Sequence, residues 1–498
     1  MPRTFPALLL FLTLFVGCEV PPDGVWRQCS LYTGKGDGRA ECARAERPSA
    51  PGSSATFVSA AKRLRASAPS RGQLWLLHGG PGMSGTIGLP AFMDELHGFA
   101  PDLDLYTLDA RGTGDSEFLE CPEQQTASSP GGAHITAPEA AACATRLRAD
   151  HPDLSIFSFS ASARDLHDAI EEHREAGKAV FLWGASGGTY WARRYLQLFP
   201  DSVDGVVLDS MVAPRRNLVV DQLTFAERIG QEVLAQCRAD TFCSSRLADP
   251  LGTAEALWAK LDQGHCSKLG HGSEEVREAV ARMLFFPPFN EMVPALIARL
   301  DRCTDADVQV ALSTLQPLIA RGSAPHAFSE ALNVLLVRAE LWDDPRFPDD
   351  ASVDTFVAQA EASALVGPRD GAQLVAVLRA FPALEEPLAS APLTSTVPAL
   401  MLAGELDPST PAELTSSIQS ELHGPHQTFV LVPHTTHGVI DGSPTADGRD
   451  CGRQLFLEFL ADPTAPLDAG CAADRLPLDF EGTTLAAKAG LPNFFDNP

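Results

Sequence analysis

Three short segments of the chain carry residues that could break an amide or ester bond through a serine nucleophile. Ser186 lies in the run Gly-Ala-Ser-Gly-Gly at 184–188, directly after the apolar segment 179–183. A serine at a sharp strand-to-helix turn needs small neighbours, because its backbone is strained and its hydroxyl must stand clear. We predict that Ser186 is the nucleophile and that the Gly187 amide binds an oxyanion. An ordinary turn serine is the alternative.

A second glycine-rich run, His-Gly-Gly-Pro-Gly at 78–82, follows the apolar segment 73–77. Glycine lets the backbone pass close to a substrate and turn its N–H groups toward a developing negative charge. The run also stands at the end of a predicted strand, where open α/β sheets bind their ligands. We therefore predict that Gly80 supplies the second oxyanion donor. A purely structural loop is the alternative.

An unassisted serine hydroxyl is a poor nucleophile, so it requires a histidine base and a carboxylate that orients the histidine. Two acidic residues, Glu405 and Asp407, follow the apolar segment 397–403. We prefer Asp407 as the acid because it stands three residues beyond Gly404, which ends the predicted strand. Glu405 is the alternative.

Two histidines, His434 and His437, follow the last apolar segment, 427–432. We prefer His437 as the base because Gly438 comes after it and lets the loop fold back over the serine. A metal site built on the two histidines lacks an obvious third ligand nearby. The sequence thus predicts a Ser186, Asp407 and His437 constellation in the order nucleophile, acid, base.

Apolar runs bounded by turn residues predict the elements that position these side chains. Such runs are typical of buried parallel strands, and helical stretches lie between them. The pattern predicts an α/β fold with a mostly parallel sheet, flanking helices and a helical cap inserted between the nucleophile side and the acid and histidine side. The predicted divisions are a signal peptide (1–17), a tether and N-terminal segment (18–54), the core's first part (55–213), the cap (214–392), and the core's second part with the C-terminal region (393–498).

The N-terminus resembles a bacterial lipoprotein signal. Arg3 precedes an apolar segment at 5–16 that is too short to span a membrane, and Gly17 precedes Cys18. We predict lipidation of Cys18 and an extracytoplasmic location, facing the periplasm or on the cell surface. A secreted protein, in which Cys18 is incidental, is the alternative.

The chain has 11 cysteines, so removing Cys18 to a lipid leaves an even number that suits disulfides in an oxidising compartment. The simplest pairing is sequential: Cys29–Cys42, Cys121–Cys143, Cys237–Cys243, Cys266–Cys303 and Cys451–Cys471. A metal site at His265, Cys266 and His271 is a rival for one of these cysteines, but no CxxC pair accompanies it.

The formal net charge of −26 argues against nucleic acid as a partner, because phosphate backbones would be repelled over most of the surface. We expect contact with a membrane only through the N-terminal lipid. The predicted serine mechanism requires no metal or organic cofactor.

Taken together, the motifs resemble the proline iminopeptidase and tripeptidyl aminopeptidase group of serine α/β-hydrolases. The resemblance is carried by the runs at 78–82, 184–188 and 404–411, by the His437 segment, and by the run 109–116 with Asp109, Arg111, Gly112, Gly114 and Ser116. The residues around Cys42, and Cys451 and Cys471 with the helix between them, are similar to the secreted tripeptidyl aminopeptidase-like branch with its own C-terminal region.

The resemblance implies removal of residues from the free N-terminus of peptides through an acyl-enzyme on Ser186. Such an enzyme must also bind the substrate ammonium, and Glu340 and Glu291 in the predicted cap are candidates for this role. Exposed helix charges are the alternative for both. Two other functions stay open: an ester hydrolase of the same fold, and a catalytically silent surface lipoprotein that binds peptides or partners.

Overall fold

The computed structural model describes residues 20–126, 128–319, 325–361, 365–366, 371–488 and 490–497. The predicted signal peptide and the predicted lipidation site Cys18 lie outside the described residues.

The described strands form one sheet. They are β1 (Arg27–Cys29), β2 (Ala40–Pro48), β3 (Thr56–Leu64), β4 (Gly72–Leu77), β5 (Leu103–Leu108), β6 (Ala179–Ala185), β7 (Gly205–Asp209), β8 (Ala399–Gly404) and β9 (Gln427–Val432). Their order across the sheet is β1-β2-β3-β5-β4-β6-β7-β8-β9. The strands from β5 to β9 in this order are parallel, whereas the pairs β1–β2, β2–β3 and β3–β5 are antiparallel.

Most strands of the parallel part of the sheet are buried on both faces, whereas the edge strand β9 is only partly buried. Every residue of β4, β5, β7 and β8 is buried, which is why these strands read as continuous apolar runs. The register pairs Leu77 with Gly184, Ala185 with Asp209, and Gly404 with Val432. The carboxyl ends of β4, β6, β7, β8 and β9 therefore meet at one edge of the sheet.

Two of the antiparallel strands lie within residues 18–54, which the sequence predicts as a tether and N-terminal segment. Here β1 and β2 extend the sheet, and β2 carries charged residues such as Glu41. Lys62 on β3 is buried, and its ammonium group donates hydrogen bonds to the carbonyl oxygens of Leu31 and Thr86. Arg63 pairs with Glu41. These contacts compensate the polar groups of a strand whose sequence does not look apolar.

Helices flank the sheet and fill the long connection between β7 and β8. The helices before β7 are α1 (Gly85–Gly88), α2 (Pro90–Phe99), α3 (Ala137–Asp150), α4 (Phe159–His173) and α5 (Gly187–Leu198). Between β7 and β8 lie α6 (Leu218–Ala239), α7 (Thr241–Arg246), α8 (Pro250–Asp262), α9 (Ser273–Met283), α10 (Phe289–Arg302), α11 (Asp305–Ile319), α12 (Glu330–Glu340), α13 (Asp350–Glu361) and α14 (Gly371–Ala380). The last helices are α15 (Ser416–Glu421), α16 (Cys451–Ala461) and α17 (Thr483–Lys488).

Much of the connection between β7 and β8 has a hydrophobic core of its own. Ile229, Val233, Leu257, Val280 and Ile297 belong to one buried cluster, which is separate from the clusters that cover the sheet. Burial of apolar area within this cluster stabilises the layer. We call the helices α6–α14 the cap.

Five disulfides join the cysteines sequentially, which confirms the predicted pairing: Cys29–Cys42, Cys121–Cys143, Cys237–Cys243, Cys266–Cys303 and Cys451–Cys471. The disulfide between Cys266 and Cys303 uses the cysteine that the alternative metal site would need as a ligand. His265 contacts the carbonyl oxygen of Leu300, and His271 contacts Glu275. Across the part of the chain that is described, no helix combines the length and apolar character needed to cross a bilayer.

Candidate active site

Ser186 lies at a strained turn between β6 and α5. Its backbone angles are φ 53° and ψ −124°, a conformation that costs an ordinary residue about 1–3 kcal/mol and persists only where the surroundings enforce it. The Ser186 amide donates to the carbonyl oxygen of Asp209 at 2.9 Å. The turn therefore holds the serine at the carboxyl edge of the sheet, as the Gly-Ala-Ser-Gly-Gly run predicts.

The glycines around the serine permit close approach of the backbone. A Cβ on Gly188 would overlap the carbonyl oxygen of Leu77, and a Cβ on Gly184 would overlap the carbonyl oxygen of Gly188. Larger residues at these positions would force β4 and α5 apart. The small residues are thus required by packing.

We expect Gly188→Ala to lower the free energy of unfolding by about 1–3 kcal/mol, because the new methyl group meets rigid backbone. Gly98→Ala in α2 is the matched control, since a Cβ there has no atom within 4 Å. Replacing a helical glycine by alanine stabilises by about 0.5–1 kcal/mol when space is available. Urea unfolding of both variants measures the difference. Equal stability of the two variants would contradict this account of the turn.

The glycine-rich run 78–82 passes beside the serine. A Cβ on Gly79 would lie 2.9 Å from the Ser186 Cβ, and a Cβ on Gly187 would lie 3.2 Å from the Gly80 amide nitrogen. In the described part of the chain, the amides of Gly80 and Gly187 donate to no acceptor. Gly80 and Gly187, whose N–H groups the sequence predicts as oxyanion donors, thus lie beside each other.

His78, the first residue of this run, does not compete for the role of base. Burial lowers its pKa to about 4, which makes the imidazole too weak a base for this role near pH 7. Its Nδ1 accepts a hydrogen bond from the Gly79 amide at 2.7 Å. His78 therefore shapes the loop.

Asp407 and His437 form a hydrogen-bonded pair, as the sequence predicts. The His437 Nδ1 atom lies 2.8 Å from Asp407 Oδ2, and the Asp407 carboxylate also accepts hydrogen bonds from the Ser409 amide and from the amide and hydroxyl of Thr410. Burial opposes the ionisation of both groups. Their mutual attraction outweighs it, so that the pKa of Asp407 is lowered and the pKa of His437 is raised.

Glu405 and His434, the alternative acid and base, contact each other through the His434 backbone. The Glu405 carboxylate accepts a hydrogen bond from the His434 amide at 3.1 Å. Glu405 thus holds the start of the histidine loop, while the acid–imidazole contact is the one between Asp407 and His437.

The end of β7 holds both the serine turn and the histidine loop. The carbonyl oxygen of Asp209 accepts the Ser186 amide, while its carboxylate accepts the amides of Val439 at 2.8 Å and Ile440 at 3.4 Å. The next residue, Ser210, accepts the Gly438 amide at 2.8 Å through its hydroxyl. One two-residue segment therefore fixes the serine relative to the histidine loop.

Asp209 is buried, and burial raises its pKa to about 6, although the two amide donors and the charge of His437 oppose the rise. Asp209 is not among the site residues predicted from the sequence. The signal was its place directly after the apolar run 205–208, where this fold type collects polar functional groups.

No hydrogen bond joins the Ser186 hydroxyl to the His437 imidazole among the described residues. Catalytic hydrogen bonds of this kind are often long before substrate binds and tighten in the Michaelis complex.

The cap contacts the site at two opposite places. On the side of the run 78–82, the Asn333 side-chain amide donates to the Pro81 carbonyl oxygen at 2.7 Å. On the histidine side, the Thr436 hydroxyl donates to the carbonyl oxygen of Phe285 at 3.0 Å. The Phe285 and His437 rings are 6.1 Å apart in an edge-on arrangement. The cap therefore borders the region where a substrate would meet Ser186.

The two carboxylates predicted to bind a substrate ammonium differ in their surroundings. Glu340 forms an ion pair with Arg194 at 2.8 Å, and both side chains are almost completely buried. Glu291 is partly buried, accepts a backbone hydrogen bond from Asp479 and lies near Arg475. Burial raises the pKa of both glutamates to about 7. Glu340 is thus committed to an internal contact, whereas Glu291 retains access to solvent.

Family models match two parts of the chain. A model described as the alpha/beta hydrolase fold matches residues 74–238, which include β4 to β7 and Ser186. The chain has the α/β-hydrolase fold. This confirms the predicted fold. A second model, described as TAP-like protein, matches residues 381–471, which include Asp407 and His437.

Solved structures of α/β hydrolases are similar to this one. A carboxyl esterase from Bacillus coagulans has 13% identity, 85% coverage of this chain, 99% coverage of its own chain and a TM-score of 0.35. A monoacylglycerol lipase from Paleococcus ferrophilus has 16% identity, coverages of 81% and 97%, and a TM-score of 0.29. A proline iminopeptidase from Mycobacterium smegmatis has 13% identity, coverages of 79% and 91%, and a TM-score of 0.31. A search of curated proteins found no match.

Proposed function

We propose that this α/β hydrolase is an extracytoplasmic serine aminopeptidase of the prolyl or tripeptidyl type. The observation that carries the proposal is the pairing of buried Asp407 with His437, on a loop that Asp209 fixes beside the strained Ser186 turn. The TAP-like match over residues 381–471 favours a peptidase over other hydrolases that use the same three groups.

In the proposed mechanism, the Ser186 oxygen attacks the scissile carbonyl carbon while His437 takes the serine proton. The amides of Gly80 and Gly187 bind the negative oxygen of the tetrahedral intermediate. His437 then gives its proton to the leaving amine, which departs and leaves an acyl-enzyme on Ser186. Water, activated by the same imidazole, releases the acyl group. Asp407 holds the imidazole tautomer throughout.

The location is part of the proposal. Five disulfides are compatible with an oxidising compartment. Attachment through Cys18 would place the enzyme on a membrane without a spanning helix. Mass spectrometry of the mature N-terminus tests the attachment, since an unmodified terminus, or one that excludes Cys18, would leave a secreted enzyme.

The test of the activity is a panel of chromogenic amides of single amino acids and tripeptides, each with a free and an acetylated N-terminus, beside short acyl esters. We expect turnover of amides only when the N-terminus is free. Turnover of esters alone would replace the peptidase with an ester hydrolase of the same site. Turnover of neither class, with Ser186 unreactive, would favour the silent binding protein.

We prefer Glu291 for binding the substrate ammonium, because Glu340 is paired internally with Arg194 and Glu291 is partly exposed. We expect Glu291→Gln to raise KM about 10-fold or more for free-amine substrates, since a charge-assisted hydrogen bond contributes about 1.5–3 kcal/mol. The acid Glu274, on the neighbouring helix α9, provides a control variant, Glu274→Gln. Unchanged KM for Glu291→Gln would place the ammonium elsewhere.

A further inference from the structure

One arginine of the C-terminal segment is buried against the loop that carries His437. Arg475 is only 8% exposed. Its guanidinium donates to the carbonyl oxygens of His434 at 3.1 Å and Gly442 at 3.4 Å, and to the hydroxyl of Thr435 at 3.3 Å. These acceptors lie on both sides of His437 in the chain, so one side chain spans the whole loop.

The backbone beside Arg475 continues this contact. The Leu476 amide donates to the carbonyl oxygen of Pro444 at 3.0 Å, and Thr445 and Arg475 form an antiparallel bridge. The histidine loop and the C-terminal segment are therefore joined by main-chain and side-chain hydrogen bonds.

A disulfide closes the same structure from the other end. Cys471 stands four residues before Arg475 and is bonded to Cys451, the first residue of α16. Asp450, the residue before Cys451, accepts hydrogen bonds from the amide and hydroxyl of Ser443 at the end of the histidine loop. The C-terminal segment thus cannot leave the loop without breaking a covalent link or several hydrogen bonds.

The charge of Arg475 is not used in an ion pair. Within the described ranges no carboxylate lies at ion-pair distance from it, and Glu291 and Asp450 attract it only from farther away. A buried guanidinium is costly unless its donors are satisfied, and here the acceptors that satisfy them belong mainly to one loop. The planar guanidinium holds its N–H donors in a fixed arrangement, so it sets the relative positions of the oxygen atoms that accept from them. A lysine ammonium group is less directional and fixes these positions less well.

We propose that Arg475 is a positioning residue for the reaction: it holds the loop 434–442 so that the His437 imidazole stays aligned between Asp407 and Ser186. This inference rests on the proposed function, in which His437 activates Ser186. Arg475 hydrogen-bonds the loop on both sides of His437 and acts only through the loop. The C-terminal segment that carries Arg475, just beyond the TAP-like match at 381–471, would then help to position the active site.

The positioning role of Arg475 can be measured through the pH dependence of the reaction rate. The charged groups that face His437 are Asp407, from the loop after β8, and Asp209, from the end of β7, while the cap presents the uncharged ring of Phe285. The raised pKa of His437 depends on its 2.8 Å contact with Asp407. A loosened loop lengthens this contact and lowers that pKa, so the acid limb of the rate profile moves to lower pH.

The experiment compares Arg475→Gln and Arg475→Lys with the control Arg449→Gln, whose side chain is exposed on the same part of the chain. The readouts are kcat and KM between pH 5 and 9, the melting temperature, and the rate at which a fluorophosphonate labels Ser186. In that labelling, the serine oxygen bonds to phosphorus, fluoride leaves, and His437 takes the serine proton. Displacement of a catalytic group by about 1 Å can cost about 100-fold. We expect Arg475→Gln to lower kcat and labelling about 10- to 100-fold; the labelling involves no substrate ammonium and is therefore independent of Glu291, on which the Arg475 charge acts.

The acid limb should move to lower pH in Arg475→Gln, and Arg475→Lys should recover part of the rate. Arg449→Gln should behave as the wild type in every readout. A second pair of variants separates an effect on the histidine loop from general destabilisation, since each variant loses one disulfide. Removal of Cys451 and Cys471 together should lower the labelling rate, whereas removal of Cys29 and Cys42, at the other edge of the sheet, should not.

Unchanged kcat and acid limb in Arg475→Gln would overturn the positioning role. The positioning role would also be overturned if the losses of kcat and labelling rate disappear when each variant is assayed at a temperature equally far below its own melting temperature. The labelling separates this inference from the proposed function. If wild-type Ser186 is labelled but peptides are not cleaved, the peptidase proposal fails while the effect of Arg475 is still measurable. If wild-type Ser186 is not labelled, the assignment of the nucleophile itself fails.

Discussion

Ser186→Ala is expected to lower kcat for the best amide substrate by about 10⁴- to 10⁶-fold, because it removes the hydroxyl that forms the acyl-enzyme in the proposed mechanism. A small rate above that of water should remain, since the amides of Gly80 and Gly187 still bind the oxyanion. KM should change little, because the hydroxyl contributes more to the transition state than to substrate binding. Steady-state kinetics with the free-amine substrate measures both quantities.

The matched control for this variant is Ser420→Ala on the exposed face of α15. It should keep full activity. Melting temperatures of both variants should stay close to that of the wild type, since Ser186 is not needed for packing. Substantial activity in Ser186→Ala would mean that another residue is the nucleophile.

The parallel strands could be predicted from the sequence because each leaves a local signature, a short apolar run bounded by turn residues. The apolar runs 103–108 and 427–432 coincide with β5 and β9, and the run 73–77 with all but the first residue of β4. Polar groups at the ends of such runs, Asp407 and His437 among them, fall together at the sheet edge. This is why the positions of these polar residues directly after the apolar runs were enough to predict that they lie close together.

The antiparallel strands β1–β3 could not be predicted in the same way. Their charged residues, such as Lys62 and Arg63, are satisfied by partners far away in the chain or on neighbouring strands. No local pattern reveals such partners. The same holds for Arg475, whose acceptors at 434–442 become its neighbours only after the C-terminal segment folds back over β9.

Asp407→Asn is expected to lower kcat by about 10⁴-fold with the structure intact. The carboxylate holds the His437 Nδ1–H group, which leaves Nε2 free to take the serine proton. An amide in its place can present its NH₂ group to Nδ1 and favour the wrong tautomer. The buried position of Asp407 makes this effect strong, because water does not reach the imidazole from that side.

The same variant should move the pH profile in a direction that follows from the charge. His437 must be neutral to act as base, so the rate falls as the pH drops through its pKa. Asp407 raises that pKa by attraction, and removing the negative charge lowers it. The acid limb of kcat/KM should therefore move to lower pH while the maximum rate falls. Glu405→Gln, which alters the neighbouring acid whose carboxylate accepts a hydrogen bond from the His434 amide, should leave the position of the limb unchanged. A limb that moves in Glu405→Gln and stays in Asp407→Asn would show that Glu405 is the acid that acts on the base.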